Sequence, residues 1–133
     1  MKTTVLDASA VLALFFDEPG AERVELLLLK AAEADKPLLI TAANWCEVLY
    51  RMQRKRGAGG TESVKRFERT MPLEVAALDR DLAELAARFK TEHGLGLADA
   101  FAAALSKAKK AELITSDPDF KLVEREITVA WIR

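Results

Sequence analysis

The stretch T3-T-V-L-D-A-S-A-V-L-A-L-F-F16 sets one carboxylate, Asp7, between two apolar runs that a small protein normally buries. "TTVLD" reads as a short buried strand and "ASAVLALF" as the short helix that follows it. An isolated buried carboxylate is destabilising by several kcal/mol or more unless it is paired, hydrogen-bonded or bound to a cation. Asp7 therefore needs a partner, and the rest of the chain can be searched for one.

Working outward, Pro19 and Gly20 break the chain, and Val24, Leu27, Leu28 and Ala31 then recur at helical spacing. "PLLITAAN" reads as a second strand, with Asn44 placed to cap a helix from Trp45 to about Lys55. The glycines of "GAGG", residues 57–60, are expected to end that helix, and Thr61 to Thr70 to form another. "LEVAALD" is a third strand, with Asp79 the N-cap of a helix that buries Leu82, Leu85, Ala86 and Phe89 and closes at Gly94. "LADAFAAALSKAKK" is an alanine-rich helix, "ELITSD" a fourth strand and "ITVAWI" a fifth. This alternation predicts an α/β fold with a central parallel sheet of about five strands and helices on both faces. The 133 residues, half of them hydrophobic, suit a single domain over 1–133.

Composition narrows the function classes. Twenty basic and 21 acidic residues give a formal charge of −1, so any polyanion contact must be local. One cysteine, Cys46, makes no intrachain disulfide and reads as packing rather than redox chemistry. The longest apolar run is too short to span a membrane, and the N-terminus has no secretory layout, so a soluble protein of the cytoplasm is expected. The run Leu26–Leu29 is wider than one core-facing stripe, and part of it is available to a partner.

In open α/β sheets ligands gather beyond the carboxyl ends of the strands. Asp7 ends the first strand and Asp117 the fourth, while Glu47 in the first turn of one helix and Asp99 near the start of another can face the same rim. Each has an ordinary alternative: Asp99 can cap a helix, Glu47 can favour a helix dipole, and Asp117 before Pro118 can make a turn. Four acids on one rim raise each other's pKa unless a divalent cation neutralises them. An all-oxygen set without Cys or His at zinc spacing prefers Mg²⁺ or Mn²⁺. Such a site suits phosphodiester hydrolysis, with Ser9, Thr115 and Ser116 available to add hydroxyls.

Four segments in register, "VLDASAVLALFFDEPG", "NWCEVLYR", "GLGLADAFAAALS" and "LITSDPDF", resemble the PIN-domain ribonucleases, and within them the VapC-like toxins of toxin–antitoxin pairs. The resemblance implies a metal-dependent endoribonuclease with Asp7, Glu47, Asp99 and Asp117 as its acidic quartet. Asp7 and Asp99, with Asp117, are the implied metal ligands, and Asp119 either supports the site or caps a turn. A homodimer neutralised by an antitoxin protein is also implied. In "RMQRKRGAGG", Arg51, Arg54, Lys55 and Arg56, with Lys65, Arg66 and Arg69, can give RNA a local basic track or form a solvated helix end. His93 reads as a helix-terminal residue with no role as a base. Haloacid-dehalogenase-type chemistry wants an acid where Ser9 stands, and a phosphate-accepting receiver domain wants adjacent acids and a late lysine. A P-loop is absent. A degenerate PIN-like scaffold is disfavoured because all four acids are present.

Overall fold

The computed structural model describes residues 2–133. Five strands, β1 (Thr4–Leu6), β2 (Leu38–Thr41), β3 (Leu73–Ala76), β4 (Glu112–Thr115) and β5 (Thr128–Trp131), form one sheet in the order β3-β2-β1-β4-β5. Every pairing is parallel, with Val5 opposite Leu39 on one side of β1 and Leu113 on the other. The chain steps outward from β1 to β2 and β3, then returns to β4 on the opposite side of β1. The connections thus diverge between β1 and β4, the place where α/β sheets open a crevice at their carboxyl edge.

The two faces are covered by different helices, because alternate strand residues point to opposite sides. Leu6, Leu38, Ile40 and Ile114 pack with α1 (Ala8–Phe15), α2 (Ala21–Ala34) and α3 (Ala42–Thr70). Val5, Leu39 and Leu113 pack with α4 (Arg80–His93), α5 (Leu97–Ala108) and the 3-10 turn Pro118–Val123, which inserts Phe120 and Val123. The parallel sheet with helices on both faces is therefore as expected. So are the caps of α4: the Asp79 carboxylate accepts from Leu82 N at 2.8 Å, and Gly94 closes the helix at φ 71°.

Several local expectations are corrected. Thr41, not Asn44, caps α3: its hydroxyl accepts from Asn44 N at 3.0 Å and donates to Asn44 Oδ1 at 2.6 Å. The helix therefore starts three residues earlier than expected, and Glu47 lies in its second turn instead of its first. As expected, the glycine stretch ends one helical segment and a second follows, the two meeting at a sharp kink within the Ala42–Thr70 span. Only Gly57 leaves helical geometry, at φ 60° and ψ −144°, a conformation open to glycine because it has no Cβ. Gly60 is buried so tightly that a Cβ there would collide with the Met52 carbonyl oxygen. Cys46 is exposed, because its neighbour Trp45 takes the inward position. The leucine run is as expected, with Leu28 buried whereas Leu26 and Leu29 face outward.

Candidate active site

The crevice between β1 and β4 is organised by Asp7, which is only 2% exposed. Its Oδ1 accepts from Ala10 N at 3.0 Å, making Asp7 the N-cap of α1, and from Ser9 Oγ at 2.7 Å. Its Oδ2 accepts from Thr115 Oγ1, on β4, at 2.6 Å. Each hydroxyl has a single proton, which it gives to Asp7, and each accepts a backbone N–H: Ser116 N to Ser9 Oγ at 3.0 Å, Asp117 N to Thr115 Oγ1 at 2.9 Å. The carboxylate of β1 is thereby tied to the backbone that carries Asp117. Ser9 and Thr115 orient Asp7, and Ser116 enters through its backbone N–H.

These donors do not fully offset burial. Desolvation is the largest influence on Asp7 and outweighs the hydrogen bonds from Thr115, Ser9 and Ala10, so its pKa rises from 3.8 to about 6. Asp99 rises further, to about 7, first through burial and then through the charges of Asp117, Asp7, Glu47 and Asp119. Its place explains this. Asp99 is the third residue of α5, whose N-cap is Gly96 with no side-chain cap bond, so Asp99 is not held as a cap. Carboxylate oxygens of Asp99, Asp117 and Asp119 lie within 4.8 Å of one another. Asp117 also makes a turn, its Oδ1 accepting from Asp119 N at 2.9 Å. Asp119 thus both shapes the turn and adds its charge to the cluster.

The structure brings Asp7, Asp99, Asp117 and Asp119 to one rim, and half-buried Glu47 acts on Asp99 from α3. The donor set is all carboxylate, and the leading influences on Asp99 all oppose its ionisation. A hard divalent cation fits such a set, because it supplies the missing positive charge. The chain's one histidine does not belong to this cluster: His93 Nε2 lies 3.0 Å from Glu126 Oε1.

Two groupings were not foreseen from the sequence. Glu126 is gripped by Arg88 at 2.8 Å, His93 at 3.0 Å and Lys107 at 3.4 Å, which holds its pKa down at about 2, with Arg88 the leading cause. Tyr50 and Phe16 lie against the cations of α3, a pairing that the four-residue step from Tyr50 to Arg54 could have signalled. Lys65, Arg66 and Arg69 follow the Gly57 bend and do not line the groove those rings form.

Comparison with known proteins identifies the family of the chain. The chain is 30% identical over 129 residues to "Ribonuclease VapC" of Mycolicibacterium smegmatis, covering 90% of this chain and 95% of that protein. It is 29% identical over 124 residues to "Ribonuclease VapC30" of Mycobacterium tuberculosis, covering 88% of this chain and 92% of the relative. Among solved structures, VapBC2 from Rickettsia felis, bound to a DNA fragment from its promoter, matches with a TM-score of 0.78 at 16% identity. That match covers 97% of this chain and 98% of the other. Residues 4–126 match the PIN domain, and the chain belongs to the PIN domain family.

Proposed function

We propose that this chain is an endoribonuclease that hydrolyses RNA phosphodiester bonds using Mg²⁺ or Mn²⁺, with residues 1–133 working as one domain. The observation that carries the reading is the meeting of Asp7, Glu47, Asp99 and Asp117 at the β1/β4 crevice, where Asp99 is raised to about 7 by burial and its acidic neighbours. The names of the relatives, ribonucleases of the VapC group, support RNA as the substrate.

Asp7, Asp99 and Asp117 are the residues that would hold the cation. When bound, a divalent cation polarises the phosphoryl oxygens and lowers the pKa of attacking water. The protein's own contribution is orientation and proton handling. Asp7 is locked in one rotamer by its three donors, so no reorganisation is needed during reaction. Glu47, half-buried on α3, accepts a proton from the water that attacks phosphorus in line. Asp119 keeps Asp117 turned through its backbone N–H. The products are a 5′-phosphate and a 3′-hydroxyl.

The biological role that fits is the toxin of a toxin–antitoxin pair, acting as a cytoplasmic homodimer and silenced by an antitoxin protein over the acidic crevice. Among the described residues no helix is long and apolar enough to cross a membrane. Purified protein should cut single-stranded RNA with Mg²⁺ or Mn²⁺, and chelation or Asp99→Asn should abolish cutting. Cleavage that persists under either condition contradicts the reading.

A further inference from the structure

Arg51, Arg54, Lys55 and Arg56 place four cations within six residues of a chain whose net charge is −1. Among the described residues, none of the four forms a salt bridge. Three of them, Arg54, Lys55 and Arg56, rest instead on aromatic faces or a helix end. The Arg54 guanidinium carbon lies 5.0 Å from the Tyr50 ring centroid, Lys55 Nζ 4.9 Å from that of Phe16, and the Arg56 carbon 5.6 Å from the same ring. Arg56 Nη2 also donates to the Phe15 carbonyl oxygen, at the end of α1, at 2.8 Å. A groove of about 500 Å³ opens there, lined by Phe16, Glu18, Tyr50, Arg51, Arg54 and Lys55.

Its position relative to the acids follows from helix geometry. Both bordering helices start at the acidic rim: α1 is capped by Asp7, and α3 follows directly on the carboxyl end of β2. On α3 the steps from Glu47 to Tyr50, Arg51 and Arg54 are three, four and seven residues, so all share one face. At about 1.5 Å per residue, Arg51 lies about 6 Å and Arg54 about 10 Å along the axis beyond Glu47. A strand whose scissile phosphate sits at the acids meets these groups within its next nucleotides.

We propose that the groove is a subsite for single-stranded RNA flanking the scissile phosphate. In it Tyr50 stacks one base, while Arg51 and Arg54 hold the phosphates that follow. Tyr50 is 42% exposed, so a base reaches its ring once the Arg54 guanidinium turns to a phosphate. Aromatic rings serve any base by stacking, and arginines carry the backbone charge. An acidic protein segment would meet the same cations, but it has no need of an aromatic ring on the face that leads from the acids. The subsite rests on the ribonuclease reading above.

The test measures anisotropy of a labelled single-stranded oligoribonucleotide on the full chain, with chelator present so that the strand stays intact, across a range of salt. Tyr50→Ala should weaken binding about 5- to 150-fold with the salt slope kept, and Tyr50→Phe should bind as the parent does. Arg51→Ala and Arg54→Ala should each flatten the slope of log K against log salt by about 0.7. Parent-like affinity and slope in a combined Tyr50→Ala and Arg54→Ala variant, from a protein that cuts RNA, overturns the subsite alone. A parent protein that neither binds nor cuts RNA overturns the ribonuclease reading and the subsite with it.

Discussion

Replacing Asp7 by Asn should stabilise the metal-free protein at neutral pH and leave it unchanged in acid. The Asp7 carboxyl titrates at about 6 in the folded chain, against 3.8 for an unhindered aspartate. Between those values the native state holds a proton that the unfolded chain has released, so stability falls as pH rises through the window. At about 1.4 kcal/mol per pH unit, a shift of just over two units amounts to about 3 kcal/mol, absent below pH 4 and complete above pH 6. Asn is nearly the same shape and keeps the oxygen that caps α1. Where its amide replaces Oδ2, Thr115 can accept instead and turn its proton to Ser9 Oγ, 3.2 Å away. Asp7→Ala also loses the cap, so its gain should be smaller by about 1 kcal/mol. Urea denaturation of parent and D7N, each with chelator, from pH 4 to pH 8 gives the difference directly. Equal stability of the two at pH 8, or a gap of the same size at pH 4, would refute the claim that burial of this charge dominates its environment.

Glu126 should behave with the opposite sign. Its pKa is held at about 2, against 4.5 when unhindered, so its ion pairs stabilise fully above pH 4.5 and are lost as pH falls through about 2. Glu126→Gln should therefore lose of order 1 kcal/mol at pH 7, measured by denaturation, and little at pH 2. Gly60→Ala should be destabilising by about 1–3 kcal/mol, because its methyl meets the Met52 carbonyl on a buried side of α3. Gly59→Ala, with nothing within 4 Å of a Cβ, serves as its control in thermal melting.

The order of elements and the rim of acids were legible because both are local signals. A hydrophobic run closed by a charge, as in "TVLD" and "LITSD", marks a buried strand that ends at a surface crevice. Boundaries were less legible where two residues have the same capping chemistry. Thr41 and Asn44 both favour an N-cap, and only the Asn44 N–H bonded to Thr41 Oγ1 shows which one serves. The glycine stretch reads as a terminator from helix propensity. The structure agrees, since Gly57 leaves helical geometry and Gly60 lets the second segment approach the Met52 carbonyl of the first. Ser9 and Thr115 could be named as hydroxyls for the site, but not their bonds to Asp7, of which the one from Thr115 joins residues 108 positions apart. Sequence placed a charge where compensation was required, and the fold supplies it partly through two hydroxyls and a helix N-terminus.

We propose that the remaining compensation for Asp7 comes from a divalent cation held by Asp7, Asp99 and Asp117. Anomalous diffraction from crystals grown with Mn²⁺ tests this most directly. One or more manganese peaks beside those carboxylates, lost in Asp99→Asn, are the expected result. A map with no peak there at saturating Mn²⁺, or with manganese only at Glu92, His93 and Glu126, would contradict it.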